Sequence, residues 1–317
     1  MQTSVGINVK KKTKPSFSEN LKYTLWQMKQ HKASYAFMAP FMLIFVVFTV
    51  IPVIVSIVLS FTYYNVLQAP RFIGWENYRR LFVDDDIFMI AISNTFKFAV
   101  ITGPFGLLLS FFASWVINEV PKKLKAILTF MFYAPSISGT VYMIWQIIFD
   151  GDMYGYANSF LMKYGFIQDP VQWFTDERYV LNLVILVQLW MSLGTGFLAM
   201  RAGFASVDTQ YYEAAAVDGI RNRWQELWYL TIPMMAPHLM TAAVLQITSM
   251  FSNVGVAHAL AGFPSTNYAA HLVMSHLQDY SSIRMERGYA CAISVLLFLF
   301  MIGVNRVVVR FLKKVGR

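Results

Sequence analysis

Charged residues divide this chain into long apolar stretches. Lys, Arg, Asp and Glu are absent from 34–70, 98–118, 126–149, 179–200, 227–278 and 288–305. A helix needs about 20 apolar residues to cross the hydrocarbon core of a bilayer. Each gap holds at least one crossing, and repeated runs of this length are foreign to a soluble core. The predicted spans are 36–62, 89–117, 124–149, 180–203, 230–256 and 287–312. The 227–278 run is long enough for two crossings. However, "GFPSTNY" at 262–268 is rich in turn formers, and "AAHLVMSHLQDY" carries two histidines and is only mildly apolar. One span followed by a partly buried outer segment is therefore predicted. The first apolar run begins after more than thirty residues and is far longer than the apolar region of a secretory signal, so it is expected to remain as a spanning helix.

Composition agrees with the pattern. Of the 317 residues, 57% are hydrophobic and 14% charged, against about 25% charged in average globular domains. The expected fold is all-α: a polytopic membrane protein with a basic tail, 1–33, ahead of a six-span domain, 34–317. Lys and Arg set the orientation. With six spans both termini share one side, which carries 18 of them, seven in the tail. The opposite side carries seven, and Lys97 lies in the second span near its end. This excess predicts a multi-pass protein with both termini in the cytoplasm. It also accounts for the net charge of +9 as a topology determinant, so nucleic acid is not an expected partner.

Several chemistries are missing. No G-x-x-x-x-G-K-[ST] phosphate loop, H-E-x-x-H or serine elbow occurs, and the chain is not read as an enzyme. A single cysteine, Cys291, excludes a disulfide framework. The five histidines show no metal spacing, and no metal site is expected; His271 and His276 read as polar residues of the outer segment. "GPFG" at 103–106 and "GTG" at 194–196 lie within spans, where they favour close packing or kinking. No carboxylate stands inside a span, which argues against an ion-coupled secondary carrier of a small polar solute, the alternative reading.

The polar insert 206–228 interrupts this apolar pattern late in the chain. Ser206 and Asp208 are both candidate N-caps for a helix through "TQYYEAAAV", and Gly219 suits the position after its C-cap. Asn222 is placed to cap a second helix, with Gln225 in a capping-box-like position, running until Pro233 interrupts it. Trp224 and Trp228 are suited to anchor the unit at the membrane interface. Physical reasoning alone leaves two alternatives: an amphipathic loop on the membrane, or an element that docks into another protein.

"EAAAVDG" followed by "TIP" resembles the EAA motif of permease subunits in binding-protein-dependent ABC importers. Glu213, Ala214, Ala215, Gly219 and Pro233 match it in type, and the Asp218–Gly219 pair resembles the carbohydrate, maltose-type branch. "SYAFMAPFMLIFVVFTVIPVIVSIVLSFTYYN", "FIGWENYRRLF", "NTFKF", "IWQIIFDGDMYGYAN", "WFTDE" and "RGYACAISV" are similar to that branch in the same order, over roughly residues 34–315. Two departures stand out. Gly219 and Pro233 are one residue farther apart than the family pattern, and Gly262–Pro264 reads "GFP" where many relatives have G-G-P.

The resemblance implies a type I-like importer fold, a bacterial cytoplasmic membrane location and a set of partners. These are a second homologous permease subunit, two copies of a cytoplasmic ATPase that bind ATP and Mg, an extracytoplasmic solute-binding protein and membrane lipid. This chain itself would hold no cofactor. Glu213, Ala214, Ala215, Asp218, Gly219 and Arg221 would form the coupling helix that docks on the ATPase. The cargo would be a carbohydrate, an oligosaccharide or sugar derivative. Sugar sites combine aromatic faces with amides and hydroxyls. That singles out Gln246, Ser249 and Asn253 in the fifth span, with Tyr142, Trp145 and Gln188, as candidate pathway residues.

Overall fold

The computed structural model describes residues 26–28, 30–252 and 254–315. Most of the basic tail and Asn253 lie outside the described residues. The chain packs as two units, Met1–Val55 and Ser56–Arg317. The first holds most of helix α1 (Lys32–Leu59). The second begins with a two-stranded antiparallel ribbon, β1 (Thr62–Tyr63) against β2 (Arg71–Phe72), with Thr62 opposite Phe72.

Helix α2 (Asp86–Glu119) is the longest in the chain. It starts where the Asp85 carboxylate accepts the Phe88 amide at 2.9 Å, satisfying an amide that has no partner within the helix. It stops at Val120, held extended by the proline that follows. The third predicted span is split: α3 (Lys122–Ile137) ends at a break over 138–142, and α4 (Met143–Ile148) resumes beyond it. Helix α5 (Tyr156–Lys163) uses its buried Asn158 to tie together the loops before and after it. There Nδ2 donates to the carbonyls of Asp150, Asp152 and Val171, each at 3.1 Å. Oδ1 accepts from the Val171 amide and, at 2.8 Å, from Trp173 Nε1. The fourth predicted span consists of α6 (Val180–Met191) and α7 (Thr195–Ser206), which together form one candidate crossing.

Helix α8 (Thr209–Val217) leads to α9 (Arg223–Met234) and α10 (Ala236–Ser252). The prediction that Pro233 interrupts the helix is corrected by the structure. Pro233 lies inside α9, and the chain turns by 75° between α9 and α10, around Met235. Pro237 has no N–H to give the Pro233 carbonyl, so the ladder is broken one residue pair later than expected. The predicted fifth span therefore becomes a bent pair that ends at Ser252. Within α9, residues Leu227–Thr231 form a π-helical turn. A π turn holds one residue more than an α turn, which accommodates the extra residue between Gly219 and Pro233.

Beyond α10, α11 (Gly255–Ala261) and α12 (Val273–Gln278) fold back as a buried segment, as expected, before α13 (Arg287–Val315). Among the described residues, four helices are long and apolar enough to cross a membrane, or five if the bent α9–α10 pair is counted as one span. Helix α3, at 16 residues, falls short of the roughly 20 that a crossing requires.

Three hydrophobic clusters hold the second unit together. One joins α6, α10 and α11 through Val184, Val187, Ile247, Phe251, Val256 and Leu260. A second, at the start of α2, joins Leu81, Phe88 and Ala91 to Tyr280, Tyr289 and Ile293. The third, at the end of α2, joins Phe111 to Met200, Phe204, Leu227, Met235 and Ala242. Midway along α2, Gly106 lets α10 and the end of α6 approach closely. A Cβ there would collide with the Gln246 amide and stand 3.2 Å from Ser192.

Candidate coupling segment and pathway residues

The 206–228 insert folds as the cap residues dictate. Asp208, not Ser206, caps α8: its carboxylate accepts the Gln210 amide at 3.1 Å. Ser206 instead gives its hydroxyl to the Gly203 carbonyl. The helix closes in a Schellman arrangement, with Ile220 N–H donating to the Ala215 carbonyl at 3.0 Å and Gly219 N–H to the Ala216 carbonyl at 3.3 Å. This closure places Gly219 at φ +95°, a conformation open to glycine at little cost. Asn222 Oδ1 accepts the Trp224 amide at 2.9 Å and starts α9. Gln225 reaches one residue farther back than in a capping box, to the Arg221 amide.

The motif residues divide by exposure. Glu213, Ala214, Asp218, Gly219 and Arg221 are exposed, whereas Ala215 is buried as the seat of the helix. Among the described residues, the Glu213 and Asp218 carboxylates and the Arg221 guanidinium have no ion-pair partner. Val217 is 88% exposed at the tip. On its inner side α8 is fastened to α9. The Tyr212 hydroxyl donates to Thr231 Oγ1 at 3.0 Å, and Thr231 donates to the Glu226 carbonyl at 3.2 Å. Both tryptophans read as membrane anchors are exposed; Trp224 also touches Trp115 of α2, ring centroids 5.1 Å apart.

The five described pathway candidates lie in different surroundings. Gln246 and Gln188 are buried in the helix packing, Gln246 beside Gly106. Trp145 stacks on Phe149 at 5.9 Å and meets Trp190 edge-on at 5.6 Å, and Tyr142 packs beside the α6–α10–α11 cluster. Ser249 is exposed on α10, on a face shared with Thr241, Leu245, Thr248 and Ser252. Asn253 lies outside the described residues. Two buried polar atoms in this group, Gln188 Oε1 and Trp145 Nε1, have no hydrogen-bond partner.

One polar network escaped the sequence reading. Asp85 is buried at the start of α2, and its Oδ2 meets His276 Nε2 at 3.0 Å and accepts from the Tyr289 hydroxyl at 2.7 Å. His276 Nδ1 lies 3.4 Å from His271 Nε2. His258 Nε2 lies 2.8 Å from Ser275 Oγ. Arg80 pairs with Glu286 and sits over the Tyr289 ring at 4.3 Å. Burial alone would raise the Asp85 carboxyl; the hydrogen bonds from His276, Tyr289 and the Phe88 amide outweigh it and hold the group well below the usual carboxylate range. Burial also pushes His271 down to about 4, helped by the neighbouring His276. The sequence signal was thin: one of three consecutive aspartates ahead of an apolar run, and histidines almost two hundred positions away.

The family described as binding-protein-dependent transport system inner membrane component matches residues 103–317. The chain is 31% identical over 272 residues to the probable ABC transporter permease protein YesP of Bacillus subtilis, covering 84% of this chain and 85% of that protein. It is 28% identical to the arabinooligosaccharides transport system permease protein AraP of the same organism, covering 86% of each. Among solved structures, a chain of the bacterial alginate ABC transporter in complex with an alginate pentasaccharide-bound periplasmic protein superposes with a TM-score of 0.69. It is 22% identical, over 92% of this chain and 96% of that one.

Proposed function

Since this chain belongs to the family of binding-protein-dependent transport system inner membrane components, we propose that it lines the pathway of an ATP-driven importer for an oligosaccharide or sugar derivative. Family membership sets aside the ion-coupled carrier. The carbohydrate reading is supported by the names of its relatives, an arabinooligosaccharide permease and an alginate transporter. The partners are a second homologous permease, two ATPase subunits that bind ATP and Mg, and a solute-binding protein. The chain crosses the cytoplasmic membrane six times, with α3 and α4 together as the third crossing and both termini in the cytoplasm.

The observation that carries the reading is α8. It is a helix capped at both ends, fixed to its own chain by Tyr212 and Ala215, that turns Glu213, Ala214, Asp218 and Val217 outward. Unpaired charges and an apolar tip on a rigid support suit insertion into a partner's cleft. Closure of the ATPase pair then carries α8 with it and rocks the attached spans as rigid bodies between two arrangements. The exposed hydroxyls of Thr241, Thr248, Ser249 and Ser252 give α10 a polar wall for the solute. The unpaired atoms of Gln188 and Trp145 await partners in another conformation.

Co-expression with the neighbouring ATPase tests this. The ATPase copurifies with the wild-type chain, and Glu213→Ala abolishes ATP-driven uptake by reconstituted vesicles. Failure of any ATPase to copurify, or full uptake by the variant, would overturn the proposal. A ligand screen on the partner binding protein identifies the sugar.

A further inference from the structure

Chain connectivity makes the docking segment move α7, which precedes α8, and α10, which follows α9. It does not reach α2, which lies far away in sequence yet packs along α6, α7 and α10 at the centre of the unit. Side chains alone join α2 to the segment. Trp115 and Glu119 are four residues apart, so both project from one face of the last turns of α2. They meet two consecutive residues at the start of α9. Trp224 lies on Trp115, with ring centroids 5.1 Å apart at 52°. Arg223 Nη2 reaches Glu119 Oε2 at 3.4 Å, while its Nη1 holds Glu226 Oε2 at 2.8 Å. Glu226 thus fixes the guanidinium, and Phe112 and the cluster around Phe111 and Phe204 fix Trp115.

We infer that Trp115 and Glu119 are positioning residues that clamp the end of α2 to Trp224 and Arg223, so that α2 moves with the docking segment as one body. This rests on the reading of α8 as the ATPase-docking element. The ion pair is exposed, with side-chain exposures of 65% for Arg223 and 40% for Glu119, and exposed pairs contribute little to stability. Its value lies in geometry. A tilted contact between two indole rings resists lateral slip, and a charge pair one helical turn away resists rotation about that contact. A purely structural contact would show its loss in stability, whereas a clamp shows its loss in the ratio of transport to ATP hydrolysis.

The test uses the complex reconstituted with its ATPase and binding protein. In Trp115→Ala/Glu119→Gln the ATPase still copurifies and hydrolyses ATP, but solute moved per ATP falls by roughly 5-fold or more, the scale of ordinary coupling between sites. Trp115→Phe, which keeps a ring, restores most of that ratio. In a Cys291→Ser background, Glu119→Cys/Arg223→Cys joined by a short thiol cross-linker keeps transporting, because the joined parts never separate. An unchanged transport ratio in the double variant overturns the inference. So does a cross-link that stops transport where the unlinked chain works, or loss of ATPase copurification, which would place these residues in the docking surface itself. If Glu213→Ala leaves docking and transport intact, the docking reading fails instead, and the two failures are distinguishable.

Discussion

Lowering the pH from 7 to 5 adds a proton to the unfolded chain that the folded chain refuses at His271. Burial disfavours the imidazolium there, and His276 and His258 repel it; Asp279 and Asp85 offset part of this, leaving a value of about 4. The unfolded chain titrates near 6.5. A folded value below the unfolded one means the unfolded state binds more protons between the two, so stability is full above about 6.5 and falls as the pH drops toward 4. Between pH 7 and pH 5 this amounts to about 2 kcal/mol. Asp85 acts in the same direction, but only below the ordinary carboxylate range, outside this interval. His258, also lowered by burial, adds to the wild-type slope and stays in place in the variant. His271→Gln removes one titrating group while keeping an amide beside His276. The assay is denaturation of the detergent-solubilised protein, followed by tryptophan fluorescence at both pH values. The wild type is expected to lose about 4 °C more in its midpoint than the variant over this interval. Equal pH slopes for the two proteins would refute the assignment of a neutral, buried His271.

Two further outcomes follow from close packing. Gly288→Ala would press a Cβ onto the Thr62 carbonyl and to within 3.0 Å of the Tyr64 amide, where Gly288 N–H donates to the Tyr64 carbonyl; the expected cost is about 1–3 kcal/mol, read as a lowered melting midpoint. Asn158→Ala strips a partner from five groups, of which the Val171 backbone and Trp173 Nε1 belong to half-buried residues, and is expected to cost about 1–3 kcal/mol, with a shifted Trp173 emission as its local signature.

The crossings were legible because charge is expelled from lipid wherever it falls, and Lys, Arg, Asp and Glu mark their edges in one dimension. Breaks within crossings were not. The run from Ala126 to Phe149 stays free of charge through 138–142, and that absence of charge outweighed the turn formers Ser138, Gly139 and Thr140 within it. The caps of α8 and α9 were legible because Asp208, Gly219 and Asn222 act on amides and carbonyls a few residues away. The Asp85 network was not, since Asp85 and His276 are joined across 191 positions. The contact of Trp224 with Trp115 was not legible either, since the two lie more than a hundred residues apart.

The wide turn at Leu227–Thr231 also bears on how far this chain tolerates changes in length. One added residue in a regular helix would rotate all that follows by about 100° and swing Met235 from the core to the surface. Here Leu227, Thr231 and Met235 all stay buried, while Trp228 and Tyr229 bulge outward. The surplus is confined to a few exposed positions, and no single residue among them is the inserted one. Removing Trp228, Tyr229 or Leu230 would tighten the turn without disturbing the faces on either side. In an alignment the gap has no unique place, and the segment before the turn and the helix after it are free to drift in length independently.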